Sequence, residues 1–140
     1  MDVKIDTNAK AVAKRIGKKG KALSVSVKNA LSITAQVGIN IIEDRTSKGK
    51  GFKSGNFKKY TPIYAAFRAS RGRNTTPDLQ FTGQMLSSIT SRASNRQAEI
   101  FFSRATESKK AAMNNKTRPF FGFSGKEQKE LSDVFFKALK

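Results

Sequence analysis

Residues 22–42, ALSVSVKNALSITAQVGINII, decide the architecture. Leu23, Val27, Ala30, Leu31, Thr34 and Ile41 recur at spacings of three, four and seven, which places them on one stripe of a helix. Val25, Ile33, Val37, Ile39 and Ile42 fall partly off that stripe, so the helix is apolar over more than half its circumference. A helix of that kind is covered on several sides. Two covers are open to it: the rest of its own chain, as a central core helix, or another subunit packed on part of its surface. A chain of 140 residues leaves little material for the first.

On the N-terminal side, Lys10, Lys14, Arg15, Lys18, Lys19 and Lys21 are interspersed with Gly17 and Gly20, and helix propensity competes with flexibility. Residues 1–21 read as a basic arm or loose helix. On the C-terminal side, residues 46–59, TSKGKGFKSGNFKK, read as an exposed basic loop in which Phe52 and Phe57 are local anchors or await a partner. Tyr60-Thr61-Pro62 opens a short helix, because proline suits the first helical turn, and Ile63, Ala66 and Phe67 give it a weak apolar face. Residues 70–78, SRGRNTTPD, form a second basic loop.

Phe81, Met85, Leu86 and Ile89 fit a short amphipathic helix over residues 79–90, with Thr82 near its start. Residues 87–92 and 98–103 read as two strands joined by a turn at 94–97, the second being rich in residues that suit a pleated surface. A polar helix or loop covers 105–115. Arg118-Pro119-Phe120-Phe121-Gly122-Phe123-Ser124 is an aromatic turn, and Ser124 followed by Glu127 is a capping box. The helix it opens carries Leu131, Val134, Phe135, Ala138 and Leu139 on one stripe. The expected fold is α+β: one domain over 1–140, with a long central helix, a small antiparallel β-sheet, short helices, and a C-terminal helix packing on the sheet.

Lys and Arg number 28 against 10 Asp and Glu, a net charge of +18. Such an imbalance points to a polyanionic partner, nucleic acid first and an acidic protein surface second. Candidate contacts are Lys14, Arg15, Lys18, Lys19, Lys48, Lys50, Lys53, Lys58, Lys59, Arg68, Arg71 and Arg73. The chain has no Cys, which removes disulfides, thiolate metal sites and a cysteine nucleophile, and no His, which removes the commonest general base and imidazole ligand. Residues 1–6 lack the apolar core and cleavage site of a secretory signal, and the longest apolar stretch, 39–42, is far too short to span a bilayer. A soluble cytoplasmic product without membrane contact is the expectation.

The acidic residues offer little chemistry. Glu43 and Asp44 end a helix, where the dipole disfavours them unless Arg45 or a partner compensates, and Glu127, Glu130 and Asp133 complement the start of the last helix. Gly17-Lys18-Lys19-Gly20 and Lys48-Gly49-Lys50-Gly51 lack the strand, glycine spacing and Lys-Ser/Thr ending of a nucleotide-binding loop. No stretch matches the aromatic strand motifs of the common RNA-binding sheets. The reading is a non-enzyme with no cofactor, no metal and no small-molecule substrate; a metal-dependent nuclease using Glu43 or Asp44 is the enzymatic alternative.

The order of landmarks carries a resemblance. A basic N-terminal region is followed by Tyr60-Thr61-Pro62-Ile63-Tyr64, then Phe81-Thr82-Gly83-Gln84-Met85-Leu86-Ser87-Ser88-Ile89, then the 118–124 turn before a final helix. Over residues 23–139 this resembles the virion morphogenesis and tail completion proteins of tailed bacteriophages. Thr82, Gly83, Ser88 and Ile89 match that family's Thr-Gly…Ser-Ile helix, and Arg118, Pro119, Phe120 and Gly122 match its late turn. Met85 stands where the family usually has Leu, Phe121 replaces an aliphatic residue, and the family's His-containing stretch before the late turn is missing. The resemblance implies a structural virion protein of the neck or head-proximal tail, assembled in the host cytoplasm as a homo-oligomeric ring at the head-tail joint. Its partners would be adjacent connector, neck or tail-terminator proteins and genomic DNA in the channel. Phe81, Met85, Ile89, Pro119, Phe120, Phe121 and Phe123 are then the candidates for subunit packing. A small basic DNA-binding accessory protein is the alternative.

Overall fold

The computed structural model describes residues 2–6, 18–53 and 55–139. In chain order these form β1 (Asp2–Asp6), α1 (Lys18–Ser47), α2 (Pro62–Ser70), α3 (Gln84–Ser87), β2 (Ile89–Ala93), β3 (Gln97–Phe102), α4 (Ala105–Thr117) and α5 (Gly125–Ala138). The fold is mixed α+β: a long helix, a three-stranded antiparallel sheet in the order β1-β3-β2, short helices, and a C-terminal helix that reaches the sheet region. α1 is the spine, with β2 and β3 on it and α5 alongside it.

The core is drawn from α1 (Val27, Leu31, Ala35, Ile39, Ile42), from β3 (Ala98, Ile100, Phe102), from Met85, Leu86 and Ile89, and from the aromatic turn (Phe120, Phe121). Each large side chain taken fully out of water there contributes about 1.5–3 kcal/mol before entropy is counted. Gly38 lets the turn and the sheet close on α1, because a Cβ at that position would lie 2.9 Å from Phe123 Cζ and 3.1 Å from Ile100 Cδ1. Leu131 of α5 is buried, and Phe135 and Leu139 pack against the core. Val3 and Lys4 of β1 share a groove with Leu131, Phe135 and Phe136, which is where α5 meets the sheet region. The capping box that opens α5 is present in both directions: Glu127 N donates to Ser124 Oγ at 3.2 Å and Ser124 N donates to Glu127 Oε1 at 2.9 Å.

Three expectations need correction. Residues 1–21 are not a continuous arm: Asp2–Asp6 forms the edge strand, pairing Val3 with Ile100 and Ile5 with Ala98, and α1 begins at Lys18. The strand follows from the alternation of Val3 and Ile5 with Asp2, Lys4 and Asp6, a period-2 pattern hidden by the cationic run that follows it. The remaining residues of that span, 7–17, lie outside the described residues. Residues 79–90 do not make one helix, because α3 is a single turn and Ile89 already belongs to β2. Gly83, at φ +81, turns the chain into that short helix in a conformation that side chains disfavour, and Leu79 at φ 57, farther upstream, keeps residues 79–82 from joining it as a helix.

The third correction concerns residues 46–59. Thr46, Gly49 and Phe57 are buried, and Lys50 pairs with Asn56 in an antiparallel bridge. Phe52 N donates to Pro119 O at 3.1 Å, and the Phe52 ring covers Gly122, where any Cβ would come within 2.5 Å of it. Phe52 and Phe57 are therefore local anchors that fasten this loop to the aromatic turn, while Lys48, Lys50, Lys53, Lys58 and Lys59 remain exposed on its outside. Residues 105–115, open between helix and loop in the sequence, belong to helix α4.

Candidate interaction surface

Two arginines hold the surface features in place. Arg45, near the end of α1, sends Nη1 to both carboxylate oxygens of Glu127 at 2.7 and 2.6 Å and Nη2 to Phe120 O at 2.6 Å and Gly122 O at 2.9 Å. A planar fork of this kind fixes the turn to the helix in one orientation. Arg45 therefore does not compensate Glu43 and Asp44. Asp44 is paired instead with Lys48 Nζ at 2.9 Å, and partial burial raises the Glu43 carboxyl above the ordinary carboxylate range.

Arg68 is the second. Only 1% of it is exposed, so its placement among the polyanion contacts is wrong. Its Nε donates to Asn74 O at 2.7 Å, and its Nη2 donates to Asp78 Oδ1 at 3.0 Å and Gln80 O at 3.1 Å. Its guanidinium also lies over Tyr60 at 4.9 Å and near the rings of Tyr64 and Phe81. In the expected loop 70–78, residues 70–76 are exposed and Pro77 is buried; Arg68 binds the loop at Asn74 and Asp78, and Asp78 Oδ1 accepts in addition from Gln80 N. Leu79, at φ 57, lies between Asp78 and Gln80, both of which Arg68 binds.

Around Arg68 the rings form a connected series. Tyr60 meets Tyr64 edge-on at 5.0 Å, Tyr64 stacks on Phe67 at 6.2 Å, and Phe67 stacks on Phe81 at 5.9 Å. Arg71 lies over Phe67, Arg73 over Phe81 and Arg118 over Tyr60. Tyr64, Phe67 and Phe81 stay exposed, and Ile63, on the same helix, is 86% exposed. Burial raises the Tyr60 hydroxyl above the usual phenol pKa, against the opposing pull of Arg68 and Arg118.

Beside this series lies an open cleft of about 680 Å³ between residues 58–61, α2, the 79–83 turn and α4. Lys58, Lys59, Lys110 and Arg118 stand around it, with Tyr60, Tyr64 and Phe81 on its walls. Arg118 Nε donates to Lys58 O at 2.7 Å and so ties the late turn to the cleft's edge. Glu107, in the first turn of α4, lines the cleft with only 3% exposure; its Oε1 accepts from Lys110 Nζ at 3.2 Å, and its Oε2 is buried without a hydrogen-bond partner among the described residues.

Of the other proposed polyanion contacts, Lys48, Lys50, Lys53, Lys58, Lys59, Arg71 and Arg73 are exposed. Lys14 and Arg15 lie outside the described residues, as do the side chains of Lys18 and Lys19. The proposed subunit-packing residues divide. Met85, Ile89, Phe120 and Phe121 are buried in the chain's own core and offer nothing to a neighbour; Pro119 and Phe123 are half-buried, and Phe81 is exposed. The apolar groups that do face outward include Ile63, Tyr64 and Phe67 on α2, Val25 and Ile33 on α1, Met113 on α4 and Phe136 on α5. Tyr60, Arg118, Glu107 and Lys110 were absent from the sequence-derived sites because the fold alone brings them together. Comparison of the chain with protein-family models, with curated proteins and with solved structures finds no match.

Proposed function

We propose that the chain is a non-enzymatic structural subunit of a phage neck or head-proximal tail, which forms a homomeric ring around the DNA channel in the virion. The observation that carries this reading is the outward placement of large apolar side chains on separate helices, with Ile63 86% and Phe136 65% exposed. Head-to-tail contacts around a closed ring cover two different faces of every subunit, which gives a small domain a reason to leave both uncovered. The ordered landmarks add support, since their residues have definite structural work: Gly83 makes the turn into α3, and Gly122 receives the Phe52 ring. Light scattering at high salt followed by negative-stain imaging is the test. A discrete multimer with a central hole is expected, and a strict monomer that never enters virions removes the reading.

The net charge of +18 favours a second reading, a small basic DNA-binding accessory protein. It calls for a monomer that binds duplex DNA with a steep salt dependence, because charge neutralisation releases counterions.

A further inference from the structure

We infer that the cleft beside α2 is a binding site for a nucleotide of a single strand, with an unpaired base against its exposed aromatic surface and its phosphate on the cationic rim. The proposal is independent of ring formation and goes beyond attraction of duplex DNA by net charge.

Three observations lead to this ligand. The first is size and wall chemistry: about 680 Å³ falls within the range of roughly 300–1,000 Å³ typical of small-ligand sites, and Tyr64 and Phe81 present exposed ring surface on which a flat base can stack. The second is charge. Lys58, Lys59, Lys110 and Arg118 line the cleft, and among the described residues Glu107 is the one carboxylate in its lining, so an anion is favoured and a cationic side chain from a partner is opposed. The third is Glu107 itself. A carboxylate oxygen buried without a hydrogen bond is costly, and among the described residues none donates to Oε2 of this cleft-lining glutamate. The carboxylate side chain of an acidic peptide would satisfy the rim but would itself bring only another acceptor to Glu107. A base with an exocyclic amino group brings a donor, as when a Glu side chain accepts from the amino group of cytosine.

Lys110 links the two ends of the site. Its side chain is 59% exposed and its Nζ holds Glu107 Oε1. With Nζ kept on Oε1, the carboxylate stays neutralised and Oε2 is the atom left for a donor from the base. Adenine and cytosine are therefore expected to bind better than thymine, which has no exocyclic amino group.

The test is fluorescence anisotropy of the full chain with labelled single-stranded dA, dC and dT pentamers and a duplex of equal length at near-physiological salt. Unlabelled dAMP and an oligoglutamate serve as competitors. Expected are affinities for dA and dC about tenfold above dT and duplex, a loss of about tenfold for all strands in Tyr64→Ala, and loss of the dA/dC preference alone in Glu107→Gln. Thermal unfolding of both variants guards against misfolding; should either unfold, Tyr64→Leu and Glu107→Met carry the same comparison. Competition by dAMP at concentrations like those of the strand would assign the site to free nucleotides, and competition by the strand alone to nucleic acid, each within the proposal. Equal binding of dA, dC, dT and duplex, indifference to both substitutions, displacement by oligoglutamate as readily as by strand, or no binding at all would overturn it.

Discussion

Arg68 illustrates why a positive charge in a basic chain is not automatically a surface charge. Its planar fork and its rings satisfy it internally, and replacing it leaves Asp78, Asn74 O and Gln80 O without their donor. Arg68→Met is expected to destabilise the chain by about 3–5 kcal/mol, the range for removing one partner of a buried ion pair. Exposed Arg71, three residues on, should change stability by less than about 0.5 kcal/mol when made Met. Urea unfolding of both variants checks this, and equally small effects would return Arg68 to the surface. Neither role can be told from sequence, since both residues stand beside the same loop and differ only in which way the helix turns them.

At the scale of elements, the sheet depends on a carboxylate that joins its three strands. Glu99 of β3 lies against Asp2 of β1 and accepts from Arg92 Nε of β2 at 2.9 Å, and these contacts hold its carboxyl below the ordinary carboxylate range. A depressed pKa in the folded chain means stability that is present above the unfolded pKa, near about 4.3 for glutamate, and lost as pH falls through the lower folded value. The thermal midpoint of the native chain is therefore expected to fall more steeply between pH 5 and pH 3 than that of Glu99→Gln, each range being about that of carboxylate titration. Parallel curves for the two proteins would mean that Glu99 contributes no such linkage. The alternation of residues 2–6 that makes the edge strand was hidden by the cationic run behind it, and its partner was not legible either, because β1 pairs across almost a hundred intervening residues with β3.

For the whole molecule, the balance lies between a core that uses most of the aromatic turn and apolar faces that the chain leaves uncovered. Ile63 stands in the first turn of α2, where an acidic residue complements the helix dipole, so Ile63→Asp should leave folding stability within about 0.5 kcal/mol. If α2 is a ring contact, the same substitution lowers the mass measured by light scattering from a multimer to a monomer. A multimer that survives both Ile63→Asp and Phe136→Asp would assign assembly to other surfaces. Phe120 and Phe121 cannot be tested this way, because both are core residues and an aspartate there would change folding stability as well as assembly.

Patterns confined to neighbouring residues were readable from the amino-acid order: the stripe of α1, the proline that starts α2, the β2-β3 hairpin and the capping box of α5. Each arises from a helical or pleated period, or from a donor and acceptor three positions apart. Folding assigned what depends on distant contacts. Arg45 and Glu127 meet across 82 positions, and Arg118 reaches Lys58 across 60. The same is true of the cleft, where residues 58–61 and α2, the 79–83 turn, α4 and Arg118 contribute to one wall or rim. Hydrophobicity marks Phe120 and Phe67 alike as apolar, yet one is fully buried and the other exposed, because burial depends on what the rest of the chain places over each ring.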